Sequence, residues 1–185
     1  MRVGVLALQG DFREHAALLE GMGHDPVLVR KAEEILDLEA LVIPGGESTT
    51  IGKLADRYGL LEPLREVIEG GLPTLGTCAG LILLAAGTTG DTQVHLGVLD
   101  VVVERNAFGR QVDSFEAELM VTDMVEPLHA VFIRAPAVAK VGADVEVLAA
   151  VGDEAVMVRQ GNIVATSFHP ELTGETRVHE LMLEN

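Results

Sequence analysis

The sequence predicts one three-layer α/β domain spanning residues 1–185, with a mostly parallel central sheet, helices on both of its faces, and antiparallel additions in its second half. Three observations predict it. Short aliphatic runs, apolar at successive positions, alternate with segments whose apolar residues recur at helical spacing, the pattern of strands buried on both faces and joined by helical crossovers. Past the midpoint the pattern changes to strand-like runs separated by turn-length gaps, which suit meander or hairpin additions. A chain of 185 residues, 48% of them hydrophobic, has material for one core and not for a second. With no Trp, one Tyr and five Phe, that core must be aliphatic.

Taken in order, Val3–Leu8 reads as a buried strand. Phe12, His15, Leu18, Leu19 and Met22 then recur at helical spacing, with Asp11 as N-cap and Gly21 and Gly23 ending the helix. Pro26–Val29 and Leu41–Ile43 are the second and third strands. Thr49 to Gly70 reads as one or two helices, interrupted near Gly59 and restarted around Pro63, a first-turn proline. Thr74–Thr77 is a fourth strand and Ala79–Ala86 a helix. Val98–Glu104, Phe115–Val121, Val131–Arg134, Val145–Val151, Ala155–Arg159 and Ile163–Ser167 follow as strands, and a last helix runs from Glu175 to Leu183.

Thirteen basic residues against 29 acidic ones give a net charge of −16. Such a surface repels phosphate backbones and anionic lipid, so neither nucleic acid nor a membrane is an expected partner. The longest wholly apolar stretch, Leu81–Ala86, is far below the ~20 residues that span a bilayer. The opening Met1–Leu8 is too short for a signal-peptide core, and a single cysteine fits a reducing compartment, so a cytoplasmic protein is expected.

That cysteine carries the chemistry. Gly76-Thr77-Cys78-Ala79-Gly80 sits where a strand turns into a helix, the setting of a nucleophile elbow with sulfur in place of hydroxyl. A lone Cys is more often a small buried hydrophobe, and only the flanking glycines argue for a reactive one. The turn aims the first helical N–H groups at the reacting centre, where they favour thiolate and can hold an oxyanion. A base is offered by Ser167-Phe168-His169-Pro170-Glu171, after the last strand. Glu171, two residues on, can orient His169 while His169 takes the proton of Cys78, which is nucleophile, base and orienter in sequence. Pro44-Gly45-Gly46-Glu47-Ser48 follows the third strand, where adjacent glycines let backbone N–H groups approach a ligand. The same residues also read as an ordinary strand-to-helix turn with Ser48 or Thr49 as N-cap. His15, His24, His95, His129, His179 and Asp113 show no metal-ligand spacing and read as structural or solvated.

In this order the three segments resemble the class I, triad-type glutamine amidotransferases. The resemblance sharpens to the branch of glutaminase subunits of pyridoxal 5′-phosphate synthase. It is carried by Gly4–Gly10, Pro44–Thr50, Gly76–Leu81, Phe132–Pro136, Ser167–Leu172 and, most specifically, the block Val102–Phe115 with its Glu104-Arg105-Asn106. The resemblance implies a flavodoxin-like fold and hydrolysis of L-glutamine to L-glutamate and ammonia. It implies Cys78 as nucleophile with His169 and Glu171 as its relay, and glutamine bound by Gly46, Glu47, Ser48, Arg105, Ile133 and Arg134. It also implies an oxyanion hole at Gly46 and Ala79, with Gln9 beside it near the partner interface. The arginines suit an α-carboxylate, which guanidinium binds as a fork, and Glu47 suits the α-ammonium. The implied partner is the (β/α)₈-barrel synthase subunit that accepts the ammonia, and no metal or organic cofactor is implied for this chain. Three other readings stay open: the glutaminase of another amidotransferase such as imidazole glycerol phosphate synthase, a redox or repair cysteine protein on a related fold, and a non-catalytic binding subunit.

Overall fold

The computed structural model describes residues 1–90, 92–105, 107–108 and 114–184; Asp113 and most of the Asn106–Asp113 stretch lie outside the described residues. The first half runs β1 (Arg2–Leu6), α1 (Phe12–Gly21), β2 (Asp25–Val29), a 3₁₀ turn (Ala32–Ile35), β3 (Ala40–Ile43), α2 (Ser48–Arg57), α3 (Leu61–Glu69), β4 (Thr74–Thr77) and α4 (Ala79–Leu84). The second half is strand-rich: β5 (Ala85–Thr88), β6 (Leu99–Glu104), β7 (Ser114–Leu119), β8 (Leu128–Ile133) and β9 (Ala137–Val141). It ends with β10 (Glu146–Val151), β11 (Glu154–Gln160), β12 (Ile163–Thr166), the one-turn α5 (Pro170–Thr173) and α6 (Arg177–Leu183).

Strands β2, β1, β3, β4 and β12 lie side by side, all parallel. This is the doubly wound order in which the chain reverses direction between β1 and β3, and the crevice at the carboxyl ends of such strands is where ligands bind. From β12 the sheet continues through β11, β9, β6 and β5, with β10 on the other side of β11, and these joins are antiparallel except β5–β6.

Alternation along the parallel strands explains why both faces are covered. Leu6, Leu41, Ile43, Ile163 and Ala165 face one side and pack with Ile51 and Ala55 of α2, Leu64 and Ile68 of α3, and the wholly buried α4. Val3, Val5, Ala40, Val42, Leu75 and Val164 face the other side and pack with Leu19 of α1, Val178 and Met182 of α6, and Phe132. Because successive strand residues point to opposite faces, a two-sided core requires the uninterrupted apolar runs seen in the sequence.

The structure differs from the sequence expectations in four places. The helix after Cys78 stops at Leu84, because Ala85 turns extended and Ala85–Thr88 pairs with β6, a tertiary contact that overrides alanine's helical preference. Strand β9 was not expected: Ala137–Val141 follows Pro136 and carries mostly small side chains. The β7–β8 hairpin does not extend the central sheet but forms a separate two-stranded sheet laid over one face. There Phe115 stacks on Phe132 at 4.5 Å between ring centroids, and Phe132 meets the edge of Phe168 at 5.7 Å. The last helix runs as expected, over Arg177–Leu183, but the one-turn α5 that precedes it was not expected, with Gly174 in the left-handed conformation between the two. No described helix is long and apolar enough to cross a membrane.

Beneath the sheet edge Gly80 makes a close backbone contact, and an added Cβ there would sit 2.0 Å from the carbonyl oxygen of Ile43. A backbone atom cannot rotate away, so Gly80→Ala is expected to lower unfolding free energy by about 1–3 kcal/mol. Urea denaturation against the parent chain measures it, and an unchanged midpoint would show that β3 and α4 separate freely.

Candidate active site

Strand β4 ends at Thr77 and α4 begins at Ala79, so Cys78 must make the whole turn, and it does so at φ 48° and ψ −100°. A non-glycine residue held there stores about 1–3 kcal/mol of strain and persists only when its neighbours over-determine it. Two such constraints are visible: Cys78 N–H donates to Thr166 O of β12 at 2.8 Å, and Gly80 lies against Ile43. The thiol is nearly buried, and its Sγ lies 4.0 Å from Ile133 O.

Strand β12 runs parallel to β4 with Thr166 level with Thr77, so the segment after it emerges beside the elbow. His169 N–H donates to Val131 O of β8, and Gly45 passes so near that a Cβ there would meet His169 Cε1 at 2.5 Å. His169 Nδ1 and Glu171 Oε1 are 2.7 Å apart. The relation is not that of an extended dipeptide: His169 caps α5, Pro170 is its first residue, and Glu171 swings back on the first turn. Burial alone would lower His169, but hydrogen bonds with Cys78 and Glu171 prevail and raise it to about 10, so the imidazolium is favoured. Burial pushes the Glu171 carboxyl up, against the opposing pull of His169.

Asp11 does not cap α1 through its side chain as expected; no cap hydrogen bond forms, and Oδ2 lies 3.4 Å from His169 Nδ1. Its carboxylate faces the His169 imidazolium and not the N–H groups of α1. Asp11, His169 and Glu171 are also the described residues whose ligand atoms cluster within 4.8 Å, but His169 Nδ1 is already engaged by Glu171.

A cavity of about 400 Å³ opens over Cys78 and His169, within the range of small-molecule sites. Gly46, Glu47, Ser48, Ala79, Arg105, Ile133 and Arg134 all line it, and Asp11, Ile82 and Pro136 complete the wall. Arg134 reaches it from the end of β8 through a backbone at φ 45°. Gln9 is not in that wall: its Oε1 accepts the Glu47 N–H at 2.7 Å and so holds the glycine loop. The N-cap of α2 is Glu47, not Ser48 or Thr49. Its carboxylate accepts from Thr49 N–H at 3.1 Å and Thr50 N–H at 2.8 Å, hydrogen bonds with Thr50 that outweigh its partial burial and hold it at about 2. Arg105 Nη2 stands 3.7 Å from Glu47 Oε1. Ser48 Oγ–H donates to Gln93 Oε1 at 3.2 Å, a partner with no sequence signal.

Behind the carboxylate lie two histidines that the sequence left as structural. His15 and His179 are fully buried, with His15 Nδ1 2.9 Å from His179 Nε2. His15 Nε2 is 3.1 Å from Thr77 Oγ1 and 3.3 Å from Glu171 Oε2. The only sequence signal was that His15 shares the helical face of Leu18 and Leu19, which places it inward but not beside Glu171.

The fold and the elbow cysteine define the class: this is a class I glutamine amidotransferase fold. A chain in the structure of PurLQS from Thermotoga maritima superposes with a TM-score of 0.76 at 19% identity, covering 99% of this chain and 97% of that one. The narrower group follows from sequence. Residues 5–185 match the SNO glutamine amidotransferase family, and the chain belongs to that family. A crystal structure of a glutamine amidotransferase matches with a TM-score of 0.94 and 55% identity, covering 98% of this chain and 97% of that chain. The pyridoxal 5′-phosphate synthase subunit PdxT of Pelotomaculum thermopropionicum is 57% identical over 185 residues, 100% of this chain and 94% of that protein.

Burial holds His179 neutral, lowering it from its ordinary 6.5 to about 4 despite the nearby Glu175, and His15 is lowered by burial in the same sense. Between those pH values the unfolded chain binds a proton that the folded one refuses, so stability falls as pH falls from about 6.5 to about 4. His179 alone accounts for a loss on the order of 3 kcal/mol across that window. Urea unfolding from pH 7 to pH 4 is expected to show it, with a shallower slope in His179→Leu.

Proposed function

We propose that this chain is the glutaminase subunit of a pyridoxal 5′-phosphate synthase, hydrolysing L-glutamine to L-glutamate and ammonia and passing the ammonia to the synthase subunit. The observation that carries it is Cys78 and His169 at the floor of a cavity sized for one amino acid, with Glu171 hydrogen-bonded behind His169. Full-length identity to curated synthase subunits favours it over the glutaminase of imidazole glycerol phosphate synthase and over a redox or repair role. One thiol in an acidic chain suits a cytoplasmic setting.

In this reading Cys78 Sγ, as thiolate, attacks the side-chain amide carbon of glutamine. The oxyanion is held by N–H groups at Gly46 and Ala79; Ala79 is the first residue of α4, where no intrahelical acceptor competes for the N–H. His169, protonated by preference, gives its proton to the departing ammonia and leaves a thioester. It then takes a proton from water, whose attack releases glutamate and restores the thiolate–imidazolium pair. Glu171 holds His169 in the orientation that turns its other ring nitrogen towards sulfur.

Arg105 and Arg134 receive the α-carboxylate of the substrate. Glu47 is already bonded to the start of α2 and to Arg105, so it offers the α-ammonium only the carboxylate capacity that those bonds leave unused. Gln9 acts through the loop, by fixing the Glu47 N–H. The ammonia acceptor is a (β/α)₈-barrel synthase subunit, which needs the amine before it protonates in bulk water.

Glutamate release, assayed with and without the synthase subunit, tests this. Cys78→Ala should abolish it and His169→Asn should lower it by at least about 10³-fold, with both variants folded. Activity near that of the parent in either one would refute the triad. The rate should rise when the synthase subunit is added, and no rise would remove the partner from the reading. Glu47→Ala should raise KM for glutamine and cost about 1 kcal/mol of stability through the lost cap.

A further inference from the structure

The hydrogen-bond chain behind Glu171 can be assigned a direction. A carboxylate only accepts, and Glu171 Oε2, fully buried, makes no hydrogen bond among the described residues. His15 Nε2 stands 3.3 Å from it. Were the His15 proton on Nδ1, the Nε2 lone pair could accept from the Thr77 hydroxyl, but it would still face a buried carboxylate oxygen, leaving Glu171 Oε2 with no donor at all. With the proton on Nε2, the N–H has two oxygens within reach, Thr77 Oγ1 at 3.1 Å and Glu171 Oε2 at 3.3 Å, and a small turn of the ring lets the carboxylate share it. The choice then propagates. His15 Nδ1 becomes an acceptor, so His179, 2.9 Å away, must carry its own proton on Nε2.

The charges around this chain keep it neutral. His15 faces His179 from α6, Thr77 from β4, and Glu171 and His169 from the α5 segment, with Glu175 beside His179 and Asp11 near Glu171. Burial and the two neighbouring histidines disfavour a cation at His15, so it acts as an oriented dipole and not as a charge.

We propose that His15 is a positioning residue for the reaction: held by His179, it donates its Nε2–H to Glu171 Oε2 and fixes the carboxylate that orients His169. The proposal rests on the triad reading given above. Glu171 has one oxygen on His169; a carboxylate anchored at one end can rotate, and His15 anchors the other. Glu171 could not be held from the solvent side, because its side chain is fully buried.

Two measurements test it. Nitrogen-15 NMR of histidine-labelled protein should find His15 and His179 neutral and protonated at Nε2; a proton on His15 Nδ1 would overturn the proposal whatever the variants do. Glutamine hydrolysis by the complex with the synthase subunit should show kcat reduced about tenfold to a hundredfold in His15→Leu, the range of a lost hydrogen bond to a charged group, with KM within about twofold. His15→Gln, whose amide N–H can reach the Nε2 position, should recover most of that loss. In the Glu171→Gln background, His15→Leu should cost less than about threefold, whereas a full multiplicative loss would mark a structural effect unrelated to Glu171. If His15→Leu does not fold, His179→Leu decides, since it frees His15 to take the wrong tautomer and should lower kcat at least about fivefold; an unchanged kcat refutes the chain. Should Glu171→Gln alone leave kcat unchanged, the triad reading itself fails. A lowered kcat in Glu171→Gln with none in folded His15→Leu removes only His15.

Discussion

Everything at the site depends on the parallel pairing of β4 with β12. Their register sets Thr77 level with Thr166, and the bond from Cys78 N–H to Thr166 O carries that register one residue past the strand end. The elbow and the histidine segment are thereby delivered to the same sheet edge from distant parts of the chain. β3 on the other side of β4 brings the glycine loop to that edge too. Three connections leaving three adjacent parallel strands at their carboxyl ends must converge, and the cavity is the space between them.

Close packing beneath this edge turns register into geometry. Gly80 against Ile43, and Gly45 against His169, are contacts in which a single methyl would displace a backbone or a ring. The hairpin of β7 and β8, held by Phe115, Phe132 and Phe168, closes the site from the opposite side. Through Val131 it holds His169 by the backbone, and through Ile133 and Arg134 it reaches the cavity. The strain at Cys78 is therefore carried by two layers of packing and not by the turn alone.

The electrostatics follow from the same burial. Withdrawing His169, Glu171, His15 and His179 from water would be costly if each stood alone. They do not: His169 is favoured as a cation by Cys78 and Glu171, while the two inner histidines remain neutral and hand their N–H groups towards the carboxylate. One end of the chain is charged, the other dipolar.

Much of this was legible from residues alone. The parallel strands were readable because burial on both faces demands unbroken aliphatic runs, and Cys78 because glycines on either side leave little purpose but a sharp turn. His169 with Glu171, and the lining residues at 46–48, 105, 133 and 134, came from motifs whose spacing a resemblance made specific. The strand β9, the separation of the hairpin from the central sheet and the early end of α4 were not legible, since each is decided by which edge is free to pair, a non-local property. Asp11 lost an expected capping task and Glu47 took on an unexpected one for the same reason: capping preference is local, but a cationic imidazole or a vacant helix terminus is placed by the fold. His15 and His179 show the limit most plainly. Helical period put His15 inside, yet nothing in its spacing from residue 171 or residue 179 could say that three buried polar groups would meet. The sequence by itself determined the core pattern, the glycine-flanked cysteine turn and the histidine–glutamate pair after the last strand; only the tertiary structure decided what stands behind that pair, because hydrogen-bond direction inside a protein is set by neighbours in space.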